Sequence, residues 1–299
     1  MMAALQNDFG VRGLLRHDEP LAKYTSWRVG GPADIYFEPA DIADLQQFLN
    51  ALPEDQAVHW IGLGSNLLIR DGGVRGAVVS THGVFGELEK IGDKQIRAGA
   101  GVACAKLARQ AIKWNLDGAD FFAGIPGTVG GALAMNAGAF GGETWPHVVR
   151  VTSIDRRGRL HDRDRAEYRV GYRSVEGPND EWFVSGVFEF SSVNARDRDG
   201  IKALLKRRGE TQPIGLPSCG SVFRNPPGDH AARLIESAGL KGHRIGGAEV
   251  STKHANFIIN AGKATADEIE GLIVHVQSTV REATGVELIP EVRILGERS

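Results

Sequence analysis

Between Asp120 and Glu143 the chain carries no charged residue. A stretch of that length has two readings: a membrane-spanning helix, or a loop system folded into a soluble core. Composition decides between them. Residues 121–142 hold seven glycines together with Pro126 and Asn136, and few large apolar side chains. Transfer into lipid would gain too little free energy to hold such a segment there, so a transmembrane helix is rejected. What remains is a glycine-rich backbone, of the kind that turns tightly or lets another group approach closely. Glycine is in excess throughout, at 39 of 299 residues, roughly twice the usual share and without a collagen-like period.

Charge narrows the partners. Lys and Arg number 35 against 37 Asp and Glu, a formal net charge of −2, which argues against an electrostatic grip on nucleic acid or an anionic membrane. The local basic clusters at residues 150–169 and 202–208 read as solvated faces, with a small-anion site as the alternative. Cys104 and Cys219 are the two cysteines; without metal-ligand spacing they suit a reducing cytoplasm better than a disulfide framework. Residues 1–16 include Asp8 and lack a long apolar core, so no signal peptide is expected.

Periodicity sketches a mixed architecture. Residues 57–61 and 76–80 read as buried strands. Residues 88–91 and 95–98, flanking Gly92-Asp93-Lys94, read as a hairpin, and residues 148–154 and 159–161 as a second. Leu107, Ala111 and Trp114 share one face of a helix over 103–114. Residues 182–190 alternate as a strand. A polar stretch at 191–199 marks a boundary near residue 195, followed by a helix over 201–208. Beyond it lie a short helix over 231–238 stopped by Gly239 and a strand over 254–260. A Thr265/Glu268 capping box opens a helix that aligns Ile269, Leu272, Ile273, Val276 and Val280, and a last strand covers 292–295. The class is α+β, without internal repeats.

Four groups of residues carry candidate chemistry. Gly62-Leu63-Gly64-Ser65-Asn66-Leu67 follows a strand, and its backbone N–H groups can form a nest for phosphate. It is no dinucleotide fingerprint, because Leu67 stands where a third glycine belongs and a strand follows. A second loop contains Gly124, Gly127, Thr128, Gly130 and Gly131 and leads on to Gly138; it can cradle a pyrophosphate at a helix start. Each loop alone also reads as a tight turn, whereas the pair favours an extended dinucleotide. Tyr172-Arg173-Ser174 offers a planar guanidinium suited to a carboxylate, or else a stacked surface pair. The fourth, residues 217–228, is a proline-bounded irregular loop holding Ser221, Arg224 and Asn225; a structural turn is its plain alternative. Glu291, after Pro290, is either a functional acid or an exposed strand end.

Taken in order, these pieces resemble the UDP-N-acetylenolpyruvoylglucosamine reductase family, the flavin enzymes of peptidoglycan precursor synthesis. The likeness runs from Thr25-Ser26-Trp27-Arg28-Val29-Gly30-Gly31-Pro32-Ala33 through Gly64-Ser65-Asn66-Leu67-Leu68 and residues 124–142. It continues through Gly171-Tyr172-Arg173-Ser174, residues 218–228 and His254-Ala255-Asn256-Phe257-Ile258-Ile259-Asn260, and closes on Pro290-Glu291-Val292-Arg293. The compact spacing after Tyr172 is similar to the shorter subtype of the family. Two stretches depart from its pattern, Val175 with the following 176–179 loop, and Asp229-His230; neither includes Arg173, Ser221 or Glu291.

The resemblance implies a two-lobed FAD-binding region of the vanillyl-alcohol-oxidase/PCMH type over residues 1–195. A smaller α+β substrate-binding domain then covers 196–299, with a C-terminal strand returning toward the active site. It implies FAD held by Gly62, Gly64, Ser65, Asn66, Leu67, Gly124, Gly127, Thr128, Gly130, Gly131 and Gly138, NADPH as co-substrate, and a nucleotide-sugar substrate. Arg173 would hold the substrate carboxylate as charge builds on it, Ser221 would supply the proton, and Glu291 would stabilise or polarise the intermediate. Tyr172, Arg224 and Asn225 would contact substrate, and Cys219 would be a packing residue. No metal, nucleic-acid or membrane partner is expected. Two rivals stay open: a flavin-dependent oxidase of the same broad fold, and a non-catalytic nucleotide-sugar sensor.

Overall fold

The structure, a computed structural model, describes residues 9–193 and 199–299. It separates into two compact units. The first takes the chain as far as His17, then Ile35–Gly62 and Gly76–Lys206; the second takes Asp18–Asp34, Leu63–Arg75 and Arg207–Ser299. The boundary expected at residues 195/196 lies outside the described residues. Two segments from the first 75 residues belong with the C-terminal unit, which a single cut in the sequence does not anticipate.

In the first unit the two expected hairpins join into one five-stranded antiparallel sheet. Its order is Leu160–Asp164, Val148–Asp155, Glu181–Glu189, Gln95–Gly99, Leu88–Ile91. Register is set by pairs such as Ile154 opposite Leu160 and Ser185 opposite Gly99. Helix α1, Ile42–Ala51, precedes these strands in the chain, and helix α2, Cys104–Lys113, follows Gln95–Gly99. It buries Cys104, Leu107, Ala108, Ala111 and Ile112, the i, i+3, i+4, i+7 stripe that drives a helix onto a sheet. A short helix α3, Val129–Met135, joins the same core with Trp145, Phe122 and Phe188.

A second sheet runs in the order Leu14–Pro20, Pro32–Glu38, Val74–Ser80, Val58–Ile61, the last two strands parallel with Ile61 opposite Ser80. Helix α1, Ile42–Ala51, covers it with Leu45, Phe48 and Leu49 buried. This helix has no counterpart among the expected elements. Asp41 caps it, and the buried Asp44 carboxylate accepts the N–H groups of Arg12, Gly13 and Ala40 at 2.7, 2.8 and 2.9 Å. The basic cluster at 150–169 is largely the expected solvated face, with Arg150, Arg157, Arg159, Arg165 and Arg169 exposed, and several of its members also make local bonds. Arg156 caps the C-terminus of α1 through the carbonyls of Leu49 and Leu52, Arg159 and His161 pair with Asp155, and Arg163 bridges Glu167 and Glu181.

Helix α4, Asp199–Thr211, extends the expected 201–208 segment at both ends. In the second unit α5, Ala231–Ser237, ends before Gly239 at φ +73°, the left-handed conformation that stops a helix. Helix α6, Ala266–Thr284, opens with the expected reciprocal capping box: Glu268 N–H donates to Thr265 Oγ1 and Thr265 N–H to Glu268 Oε2, both at 3.1 Å. The Asp71 carboxylate accepts two further N–H groups of that first turn, from Ala266 and Asp267. Ile269, Leu272, Ile273, Val276 and Val280 form the buried stripe.

The strand expected over 254–260 is shorter, Ile258–Asn260, in a three-stranded antiparallel sheet with Arg244–Ile245 and Ala248–Val250. A turn closed by Phe257 N–H on His254 O at 3.0 Å displaces its first half. The strand expected at 292–295, Arg293–Leu295, pairs in parallel with Leu67–Ile69. That pairing, with Trp27 fully buried and donating to Ile258 O at 2.8 Å, is why N-terminal segments belong to this unit. No helix among the described residues is long and apolar enough to cross a membrane.

Glu270 of α6 is buried and held by two guanidinium groups, Arg70 at 2.8 and 2.9 Å and Arg298 at 3.0 Å. Arg70 first, then Arg298, pulls its carboxyl from 4.5 down to about 2 against the opposing effect of burial. A carboxyl depressed in the folded state stabilises above its unfolded value, and that stability is lost as pH falls through the folded value. Stability should therefore drop by the order of 2 kcal/mol between about pH 5 and about pH 2, allowing for solvent around Arg298. Glu270→Gln should remove that part of the slope in denaturant titrations; an unchanged slope would refute the assignment.

Candidate functional site

The first unit contributes a glycine-lined cradle. Thr128 stands at the N-cap of α3 but makes no cap hydrogen bond, and its Oγ1, 2% exposed for the residue, has no hydrogen-bond partner among the described residues. A buried hydroxyl in that condition costs about 1–3 kcal/mol until something accepts or donates to it. Gly62 faces it so closely that a Cβ there would lie 2.5 Å from Oγ1. Ser80, opposite Ile61 in the parallel strand pair, has a second buried hydroxyl without a partner among the described residues. Sequence reading missed Ser80, although a serine closing the Val-Val run beside the Gly62 turn was its available signal.

Other glycines of this run serve differently. The N–H groups of Val129 and Gly130 donate to Val102 O and Ala100 O at 2.8 and 2.9 Å, so they anchor the loop to the segment before α2. Gly127 O accepts the Cys104 N–H, Gly131 is exposed, and Gly124 is packed against Phe140 and Ala139. Gly138 sits against Arg173: its carbonyl accepts Nη2 at 2.9 Å, and a Cβ would come 3.0 Å from Nη1.

Arg173 occupies the two-residue turn between Arg169–Gly171 and Ser174–Glu176. Its φ of +53° is unfavourable for a side chain with a Cβ. Nη1 donates to Asn136 O at 3.1 Å. Exposed Tyr172 lies under the guanidinium, 5.2 Å from ring centroid to Cζ. Asn136, named in sequence only as a polar break in an apolar run, is 1% exposed and central to this arrangement.

The second unit fixes Ser221. Loop 217–224 is bonded along one side to the turn and strand at 256–260: Val222 N–H to Asn256 O, Phe223 N–H to Asn256 Oδ1, and Asn260 N–H to Pro217 O, each at 2.9 Å. Along its other side Glu291 N–H donates to Val222 O at 2.7 Å and Arg224 N–H to Ile289 O at 2.9 Å. Ser221 and Glu291 are thus brought together through backbone bonds, both half-buried. Asn66 joins them: its Nδ2 donates to Glu291 O at 3.1 Å, and Leu67 pairs with Arg293. Gly64, at φ +59°, approaches Tyr24 so closely that a Cβ would meet its carbonyl at 2.0 Å, and Ser65 is half-buried beside it. Asn225 uses Oδ1 to accept the Ala231 N–H at the start of α5, and Arg224 is half-buried. Cys219 is buried, and burial followed by the Glu291 charge pushes its thiol well above the usual range, which keeps it a packing residue.

Comparison with known proteins accords with this geometry. Residues 33–163 match the model of an FAD binding domain, and residues 212–295 match that of the UDP-N-acetylenolpyruvoylglucosamine reductase C-terminal domain. The chain is 59% identical over 286 residues to the UDP-N-acetylenolpyruvoylglucosamine reductase of Alkalilimnicola ehrlichii, covering 95% of this chain and 96% of that one. With the Methylococcus capsulatus protein of the same name it shares 56% identity over 287 residues, 96% of this chain and 94% of the relative. The crystal structure of the Thermus caldophilus UDP-N-acetylenolpyruvylglucosamine reductase superposes with a TM-score of 0.80 at 30% identity, covering 95% of this chain and 99% of that one. The chain belongs to the UDP-N-acetylenolpyruvoylglucosamine reductase family.

Proposed function

We propose that this chain catalyses the NADPH-dependent, FAD-mediated reduction of UDP-N-acetylglucosamine enolpyruvate to UDP-N-acetylmuramate, a step of peptidoglycan precursor synthesis. The observation that carries the reading is the backbone coupling of the Ser221 loop to Glu291, the two positions the family uses for proton supply and charge stabilisation. Residues up to 195 would serve as the flavin-binding region and 196–299 as the substrate-binding domain. The two buried free cysteines suit a reducing cytoplasm.

The residues present fit a dinucleotide: the orphan Thr128 hydroxyl lacks only an oxygen to bond, and the bare backbone of Gly62 leaves room beside it. Gly64, Ser65, Gly124, Gly127 and Gly131 remain candidates for the same cofactor. When bound and reduced by NADPH, FAD supplies the hydride that adds to the enolpyruvyl double bond. Arg173 would hold the substrate carboxylate, and its fixed cation would oppose the negative charge that develops there. Ser221 gives a proton to the neighbouring carbon, which completes the saturation of the bond. Glu291 would stabilise the charged species beside that donor, while Tyr172, Arg224 and Asn225 would contact the nucleotide sugar.

Thr128→Val tests the cofactor assignment with a change that keeps shape and removes the hydroxyl. FAD affinity should fall by about tenfold, while the apoprotein should melt no lower, because an unsatisfied buried group has been removed. Unchanged flavin affinity, read by fluorescence titration, would reject Thr128 as a ligand. For the chemical step, Ser221→Ala should leave flavin bleaching by NADPH intact and slow reoxidation by the enolpyruvyl substrate by roughly a hundredfold or more in anaerobic stopped-flow. Full turnover in that variant would remove Ser221 as the proton donor.

A further inference from the structure

We infer that Asn136, braced by Glu143, is the positioning residue that aims the Arg173 guanidinium. The inference rests on the proposed reading of Arg173 as the carboxylate-holding cation. Arg173 sits in a left-handed turn that its own backbone disfavours, so contacts elsewhere must hold its head group. Two are backbone carbonyls of one short segment, Asn136 O and Gly138 O, at 3.1 and 2.9 Å. That segment turns because Asn136, at the C-terminus of α3, is itself left-handed at φ +46°, a conformation asparagine tolerates better than most residues.

The buried side-chain amide of Asn136 then makes three hydrogen bonds in three directions. Nδ2 donates to Glu143 Oε2 at 3.0 Å and to Gly171 O at 3.1 Å, and Oδ1 accepts the Trp145 N–H at 3.0 Å. Gly171 ends the strand that leads into Arg173. One amide therefore fixes both the carbonyls that grip the guanidinium and the hairpin that carries it. Glu143 lies against the same point, since a Cβ on Gly138 would meet its Cγ at 3.1 Å. A network serving only to fold the chain would need no such convergence on one cation.

Asn136→Asp keeps the acceptor for Trp145 and the tolerance for a left-handed backbone, but it cannot donate and sets a carboxylate beside Glu143. Adding Glu143→Gln returns a donor to the pair with the roles reversed. Binding to the oxidised holoenzyme is measured by calorimetry with UDP-N-acetylmuramate, which bears the carboxylate, and UDP-N-acetylglucosamine, which does not. Asn136→Asp should weaken the first ligand by about tenfold or more and the second by no more than about twofold. It should slow substrate-driven reoxidation by a similar factor. Glu143→Gln alone should cost less, and the double variant should recover at least half of the loss on a logarithmic scale.

Equal weakening of both ligands with a lowered melting temperature, no weakening of either, or no recovery in the double variant would each overturn the inference. Should Asn136→Asp not fold, the same carboxylate-selective loss is read on Glu143→Ala, where its absence is equally decisive. Arg173→Lys separates the two levels of the argument. If it binds both ligands normally, the role given to Arg173 falls and this inference with it; if it is defective while Asn136→Asp is normal, only this inference falls.

Discussion

The C-terminal unit depends on where residues 289–295 lie. They are held on one side by the parallel pairing of Leu67–Ile69 with Arg293–Leu295, and on the other by the bonds from Arg224 and Glu291 to Ile289 and Val222. Parallel pairing between segments more than 220 residues apart closes a very long loop, and no local turn can set its register. The compensation is burial: Leu68, Val222, Phe223 and Val292 enter the same core as α6, alongside Trp27. Only with that core assembled does Glu291 stand next to the segment carrying Ser221. The pairing of the two segments, and with it the proposed catalytic pair, is a product of tertiary packing, since neither local sequence would place it.

The first unit solves a different problem. Its loops between Gly124 and Gly142 cross the interior, where every backbone polar group needs a partner. Anchoring of Val129 and Gly130 on Val102 and Ala100, and of Thr144 on Ala137, supplies those partners. Among the described residues, the hydroxyls of Thr128 and Ser80 and the Trp60 Nε1 remain without one. An unpartnered buried hydroxyl at the N-cap of α3, beside Gly62, is what the proposed cofactor site requires, since a ligand oxygen would complete it. The glycine content follows from the same economy of space, as at Gly62, where any side chain would close the approach to Thr128.

Much of this was legible in sequence where the signal is local. The capping box of α6, the two hairpins and the glycine stop at Gly239 each depend on residues within a few positions of one another. Long-range features were not. Leu67–Ile69 and Arg293–Leu295 are three-residue strands, too short for a period of two to identify them as partners. His254 to Phe257 has strand-like composition, but the Asn256 amide is engaged by Phe223, and that tertiary bond turns the chain. Gly138 reads like one more glycine of a phosphate loop; its neighbour is Arg173, which arrives from a hairpin 35 residues away. Asn225 looks like a polar contact for substrate, yet its oxygen is needed at the start of α5. The α1 helix was readable from its Asp41 cap and its Leu45, Phe48 and Leu49 spacing, and shows that the signal must also be looked for between glycine turns.

The loop at 217–224 shows how burial assigns chemistry to near neighbours. Cys219 and Ser221 are two residues apart, and in an extended chain they would face the same side. Gly220 between them has φ +83°, which breaks that alternation. Cys219 enters the core at 4% exposure, whereas Ser221 stays half-buried. In water a thiol is the stronger acid and the better nucleophile of the two. Here desolvation and the nearby Glu291 charge both oppose its ionisation, so the intrinsically reactive group is the one held inert. The half-buried hydroxyl is a poor acid on its own, and in the proposed reaction it gives up a proton only to a centre where negative charge has already been built. In the proposed reaction that requirement ties the proton to whatever cation stabilises such charge, so the placing of that cation matters as much as the serine itself.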